Sequence, residues 1–261
     1  MIELSTRQLP DLNAWLADGP PGAIALAEHA LLTGTGHWWA DRAHDPRAVV
    51  VACADHVLFR GDPTALAPLA LARFAAHYAQ APARFLPLLG SAFDLLVPWE
   101  RMVYLLREPQ AVARPPRGVT VRRLVAQDAE ALSALSAPGV DVSWVHASWG
   151  GPVELAASGH CWGAFRERGL VAVACTYFRG TGYEDIACVT LPAHRRQRLA
   201  LACVTALCRD ITARGHVPSW TCSRDNRASR LLAWTAGFRL ADEYVHYAVG
   251  QPVRPAVGLV G

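Results

Sequence analysis

Hydrophobic patterning is clearest in the second half of the chain. Residues 119–124 (VTVRRL) alternate apolar and polar positions, which predicts a half-buried strand, and helical apolar spacing runs from Asp128 to about 135. Residues 144–157 read as helical or loop-like, broken at Gly150-Gly151-Pro152. Two apolar runs, 161–166 and 171–178, flank Glu167-Arg168-Gly169 and predict a hairpin. A strand over 184–191 leads into Pro192, and a long helix is expected from 195 to about 214, ended by Gly215. A strand at 217–222, a helix at 226–236 stopped by Gly237, and closing strands over 238–249 complete the order β-α-(α)-β-β-β-α-β-α-β-β.

Patterning in the first half is shorter-ranged. Helical spacing occurs at 12–16 and 22–32, and 47–59 reads as two short strands around a turn at Ala54-Asp55-His56. Residues 64–79 predict a helix with Leu66, Leu69, Leu71, Phe74 and Tyr78 as apolar positions, Pro68 being tolerated near its first turn. Strands are expected at 93–97 and 102–106, either side of Pro98-Trp99-Glu100. The stretch PQAVARPPRG, from Pro109 to Gly118, permits neither helix nor strand and reads as a linker. The expected organisation is an N-terminal α/β domain over 1–109, a linker over 110–118, a second α/β domain (α+β, mixed sheet) over 119–250, and a tail over 251–261.

Composition narrows the chemistry. The 261 residues are 52% hydrophobic and 18% charged, which fits one large or two ordinary folded domains. No apolar run approaches the ~18 to 20 residues that cross a bilayer, and the start, MIELSTRQLPD, is unlike a signal peptide, so a cytoplasmic protein without membrane association is expected. Seven cysteines without a C-x-x-C pair read as small buried hydrophobes, with neither a disulfide framework nor a metal site expected. All 25 basic residues are Arg, and the missing Lys excludes Schiff-base chemistry, a pyridoxal phosphate anchor and a Walker A lysine. A net charge of +3 is too small to argue for nucleic acid.

The segment EDIACVTLPAHRRQRLA, 184–200, runs from a strand through a Pro-containing turn into a helix whose first turn is rich in Arg. Free N–H groups and the helix dipole make such a junction an anion site, although an ordinary βα junction with a solvated Arg face fits the residues equally well. The run Arg195-Arg196-Gln197-Arg198-Leu199-Ala200, approached by Leu191-Pro192-Ala193-His194, resembles motif A (R/Q-x-x-G-x-G/A) of the GNAT acyltransferase superfamily. Asp225-Asn226-Arg227-Ala228-Ser229-Arg230 with Ala236-Gly237-Phe238 is similar to that family's later N-x-x-S … G-F signature. The match covers about half the chain, at 119–249. One departure stands out, because the family's central Gly, where backbone approaches phosphate closely, is Arg198.

The resemblance implies acyl transfer from a pantetheine thioester, acetyl-CoA or another acyl-CoA, to the amine of a small molecule. Arg195 to Ala200 would hold the pyrophosphate, with Leu191 at the turn, Asn226 and Ser229 against the pantetheine, and a backbone N–H near Val189 at the thioester carbonyl. Asn226 also fits a plain helix cap. Glu184 is the candidate general base, with a water chain to His160 or His146 as the alternative, while Asp185 points to the other face of the strand. The family's acid, a Tyr seven residues after the Asn, is replaced by Ala233, followed by Trp234, which leaves Tyr244 as candidate and Tyr247 as alternative.

Arg198 in place of Gly keeps two other readings open. An acyl group on a carrier protein's phosphopantetheine brings one phosphodiester instead of a pyrophosphate, so an acyl carrier protein is a possible partner, and a catalytically inactive acyl-CoA-binding module would keep the fold without turnover. A transferase using aminoacyl-tRNA would want a broader basic surface. The N-terminal stretch from Gly36 to Pro63 resembles the leader domain of a two-domain subgroup of the family, itself similar to a degenerate copy of the fold, with Trp38, Trp39 and Trp99 expected as packing residues. Trp144, His146 and Trp149 fall where the family's variable helices line the acceptor cleft, which implies a cationic or aromatic acceptor.

Overall fold

A computed structural model describes residues 1–5, 15, 21–136, 138, 141–167 and 169–253. The helical spacing expected at 12–16 and the hairpin residue Arg168 lie outside these residues, except for position 15. In chain order the first elements are β1 (Ile2–Leu4), α1 (Pro21–Thr33), β2 (His37–Ala40), β3 (Ala48–Cys53), β4 (His56–Gly61), β5 (Tyr78–Gln80), α2 (Leu86–Ala92) and β6 (Leu96–Leu106). There follow β7 (Val119–Arg123), α3 (Ala129–Ser133), α4 (Trp144–Ala147), α5 (Pro152–Ala157), β8 (Cys161–Arg166), β9 (Gly169–Arg179), β10 (Tyr183–Thr190), α6 (Leu199–Ala213), β11 (Val217–Ser223), α7 (Arg227–Thr235) and β12 (Phe238–Val249). This is a mixed α/β fold, as expected.

The elements form two units, one drawn from the described residues of 1–18, 37–100 and 245–253, the other from those of 19–36 and 101–244. The boundaries differ from a cut at 110–118. Helix α1 joins the second unit because His29, fully buried, bonds the Ser148 carbonyl (2.8 Å) and accepts from the Arg179 N–H (3.0 Å). Residues 101–105 of β6 join it by pairing antiparallel with β11, Leu105 opposite Ser219. The stretch 107–118 is neither helix nor strand, yet Ala113 N–H donates to Thr205 Oγ1 of α6 (3.0 Å), so the expected linker lies along the second unit.

In the first unit the strand order is β1-β2-β3-β4-β5-β12, and only β4 and β5 run parallel among the registers of that unit. The helix expected at 64–79 is absent. Short 3-10 turns occupy Pro63–Ala65 and Pro68–Phe74, since Pro at the start of each removes a donor, and 78–80 extend to pair with β4. A strand, a short crossover and a parallel strand thus repeat, in reduced form, the β10-α6-β11 arrangement of the second unit. Trp39, Phe59, Phe74, Phe85 and Phe93 fill its core, Trp39 meeting Phe74 edge-on at 5.1 Å. Trp38 is also buried, and Trp99 packs against Tyr78 (5.3 Å) and His246 (5.5 Å).

The second unit orders its strands β12-β6-β11-β10-β9-β8-β7, with β10 and β11 parallel. Its two faces bury two clusters. Helix α6 packs Leu199, Cys203, Leu207 and Ile211 against Ala172, Ala174, Ile186 and Trp220, while α3, α4 and α5 pack Leu132, Val145 and Leu155 against Val173, Cys175 and Ala187. Alternation along β10 follows, with Ile186 and Cys188 facing α6 and Ala187 and Val189 facing the opposite side. Glycine is required after α7, where Gly237 takes φ 96° and a Cβ would stand 1.9 Å from the Glu108 carbonyl oxygen. Among the described residues no helix is long and apolar enough to cross a membrane.

Candidate active site

The site is organised by the way β10 and β11 part. Their parallel register covers only Tyr183↔Val217, Glu184↔Pro218 and Asp185↔Ser219, although β10 continues to Thr190 and β11 to Ser223. The partner β9 is bulged opposite the same point, between Asp185 and Ile186, which turns the strand. Beyond Asp185 a groove opens between the two strands, and the edge of β10 that faces it keeps its backbone polar groups.

Register shows which groups these are. Leu191 N–H donates to the Val171 carbonyl (3.0 Å), so by the two-residue period of an antiparallel ladder the N–H groups of Val189 and Ala187 also point to β9. Ile186 N–H faces Ser219 at the last paired position, and the N–H groups of Cys188 and Thr190 point into the groove. The Val189 amide expected at a thioester carbonyl is thus spent on β9, as is Leu191 N–H, while that of Cys188, one residue earlier, is turned toward the groove. Among the described residues the buried Thr190 Oγ1 and His194 Nδ1 have no hydrogen-bond partner, an orphaned pair at the open end of the groove.

The turn after β10 forms a cradle. The expected helix start at 195 is delayed to Leu199, because Arg196 and Arg198 take φ 59° and 60°. Left-handed backbone costs an L-residue about 1–2 kcal/mol, so Arg198 adopts the conformation that Gly would take at no such cost. No side chain caps α6, and among the described residues the N–H groups from Arg196 to Leu201 find no acceptor. Six free donors at a helix N-terminus suit a phosphate or pyrophosphate. The side chains of Arg195, Arg196 and Arg198 are exposed, so none fills the hollow, and Gln197 is held aside by Arg166 (2.7 Å). Arg195 Nε donates to the Thr190 carbonyl (3.3 Å), and Ala200 is half-buried in the first turn of α6.

Asn226 caps α7 by accepting from Ser229 N–H (3.0 Å), and Ser229 Oγ accepts from Trp220 Nε1 (2.9 Å). Both polar side chains are thereby engaged within the protein.

Two carboxylates stand at the closed end of the groove, on opposite faces. Glu184 is fully buried, and its oxygens accept from Thr176 Oγ1 (2.5 Å), Arg214 Nη2 (2.8 Å) and Nε (3.0 Å), and His216 Nδ1 (2.9 Å), with His160 Nδ1 at 3.4 Å. Burial alone would raise its pKa, but the donors from His160, Arg214 and Thr176 outweigh that and hold the carboxyl well below the usual range. Asp185 faces the other way and accepts from the hydroxyls Thr221 Oγ1 (3.0 Å) and Ser219 Oγ (3.1 Å) and from the Thr221 backbone N–H. Burial pushes its pKa up to about 6 despite those bonds and the nearby Arg101. Tyr244, half-buried on β12, is pushed up to about 12 by burial, with Arg101 as a hydrogen-bond partner and Asp185 close enough to be felt. Asp185, Ser219 and Thr221 are residues the sequence reading did not select; the buried strand position beside Glu184 was the only local signal.

The remaining expected residues lie along the helical side. Trp149 is buried and donates to the Thr176 carbonyl (2.7 Å), stacked on His160 at 5.3 Å. Trp144 is 39% exposed, and burial lowers the pKa of the half-buried His146. Tyr247 pairs opposite Ala79 in the first unit, apart from this group.

A family model described as GNAT acetyltransferase matches residues 108–247. An uncharacterized N-acetyltransferase encoded in the mutA 5' region of Streptomyces virginiae is 61% identical over 217 residues, spanning 83% of this chain and 90% of that protein. A GCN5-related N-acetyltransferase-like protein from Streptococcus suis shares the fold at TM-score 0.69 and 15% identity, over 94% of this chain and 98% of that one. A tandem GNAT protein from the clavulanic acid biosynthesis pathway matches at TM-score 0.61 and 15% identity, over 94% and 96% of the two chains.

Proposed function

The chain belongs to the GNAT acetyltransferase family, and from that premise we propose that it moves an acetyl or other acyl group from acyl-CoA to the amine of a small molecule. The observation that carries this reading is the groove between β10 and β11 with the unpartnered N–H groups of Arg196 to Leu201 at its mouth. The pyrophosphate sits on those donors, and the pantetheine arm runs back along the free edge of β10. Its thioester then lies near Cys188, whose N–H supports the developing oxyanion. The Cys188 thiol is pushed up to about 12 by burial, so it stays neutral beside the reacting sulfur. Tyr244 keeps its proton against a thiolate, whose acid has a pKa of about 8.5, and serves as a hydrogen-bond donor.

A carrier-bound donor is the second reading. It is favoured by the exposed Arg195, Arg196 and Arg198 around the cradle, which offer cations to an acidic carrier surface. Calorimetry with acetyl-CoA and with an acetylated carrier protein, followed by thiol release with a panel of amines, tests both. Acetyl-CoA binding with amine-dependent thiol release supports the first reading. Release from the carrier alone supports the second, and neither binding nor release from either donor refutes acyl transfer in this groove.

A further inference from the structure

Two neighbouring carboxylates flank the point where the groove closes, and their surroundings assign them different work. The oxygens of Glu184 accept from Thr176, Arg214 and His216 and also face His160, on the α6 face of the sheet. A proton arriving there would have to displace a guanidinium from a buried anion. Asp185 occupies the last paired position of the parallel register, directly before the strands part. It lies on the opposite face, the one that carries α1 and α3 to α5, and a Cβ on Gly22 of α1 would come within 2.8 Å of Thr221 Oγ1, its donor. The Ser219 and Thr221 hydroxyls, both neutral, bind one oxygen, Oδ1, and the Thr221 backbone N–H also donates to the carboxylate. The charged and titratable groups that act on it are Arg101 from β6, Tyr244 from β12 and Cys222 from β11.

We propose that Asp185, rather than Glu184, accepts the proton of the acceptor ammonium, through its Oδ2, at the closed end of the groove. The inference rests on the donor lying between β10 and β11, with its sulfur carried to that end by an arm anchored at the cradle. In the step, Asp185 takes one proton from the ammonium, and the freed nitrogen lone pair forms the C–N bond at the thioester carbonyl carbon. Carbonyl electrons move to oxygen, whose negative charge accepts a hydrogen bond from Cys188 N–H, and return as the C–S bond breaks. Sulfur keeps that electron pair and takes the second proton from nitrogen, leaving amide and thiol, and Asp185 then releases its proton to water. With its carboxyl near half-ionisation at about pH 6, Asp185 is ionised and ready at neutral pH, yet basic enough to share a proton in the transition state.

Three variants are compared for acetyl-CoA affinity by calorimetry and for the pH profile of kcat. Asp185→Asn is expected to bind acetyl-CoA as the parent does and to lose about 10²-fold or more in kcat at neutral pH, with the acidic limb abolished. Thr221→Ala removes a hydrogen bond that stabilises the carboxylate, so the limb near pH 6 should move upward with activity retained. Glu184→Gln should keep the limb where it is. An unshifted limb in Thr221→Ala, or an Asp185→Asn enzyme within about threefold of the parent, would overturn the assignment while leaving donor binding intact. Failure of the parent itself to bind acetyl-CoA would instead strike the donor reading on which it rests.

Discussion

Replacing Glu184 with Gln separates an anchoring carboxylate from a catalytic one. The substitution keeps the shape but removes the charge that Arg214 grips at 2.8 and 3.0 Å and His216 at 2.9 Å, and it turns one acceptor oxygen into a donor facing donors. Breaking a buried pair by removing one partner costs about 3–5 kcal/mol. The Arg214 and His216 side chains remain 27% and 19% exposed and can rehydrate, so the lower end, about 3 kcal/mol, applies. For chains of this size that corresponds to roughly 6–12 °C in melting temperature. The sign with pH follows from the depressed pKa: the stabilisation is complete above the ordinary value of 4.5 and disappears as pH falls toward the folded one. The assay is thermal unfolding followed by circular dichroism at pH 7 and at pH 4, parent against variant. A melting temperature within about 1 °C of the parent at pH 7 would refute the claim that the Glu184 cluster holds β10 to the end of α6.

Two further outcomes are expected. Arg198→Gly relieves about 1–2 kcal/mol of left-handed strain and returns about 0.4–1 kcal/mol through a freer unfolded chain, so denaturant unfolding should show a small net gain. Calorimetry should show acetyl-CoA affinity changing by less than about fivefold, the worth of an exposed charge, and a tenfold loss would place the guanidinium on the phosphates instead. His29 has its pKa lowered to about 4 from 6.5, chiefly by burial, so the unfolded chain binds more protons between those values and the parent should lose stability as pH falls through that window. In His29→Leu two buried backbone groups lose their partner at roughly 1–3 kcal/mol each, and urea midpoints at pH 7 and 5 should show a smaller pH dependence than the parent; equal slopes would contradict the neutral, anchoring role.

Local pattern made much of the second unit legible. The hairpin β8-β9, the strand-turn-helix β10-α6, the strand β11 and the capped α7 announce themselves because each is specified by its own alternation, Pro, Gly or cap. Long-range choices were not legible. Nothing local says that α1 seats on β9 through His29, or that β6 pairs beside β11, since partners that distant are selected by packing. The run 64–79 has helical apolar spacing, but pairing of Tyr78 to Gln80 with β4 and two early prolines override it. Arg196 and Arg198 hide their left-handed backbone because Arg rarely signals it, whereas Gly would have. Glu184 and Asp185 are indistinguishable in sequence, and only the parting of β10 from β11 and the arrival of Arg214 give them different electrostatic states.

The central claim is that the cradle after β10 and the free edge of that strand hold an acyl-CoA, and backbone amide hydrogen exchange with and without CoA reads it group by group. Protection is expected at Arg196 to Leu201 and at Cys188 and Thr190, with Val189 and Leu191, already bonded to β9, little changed. Saturating CoA that leaves those eight amides exchanging at their original rates would contradict the account.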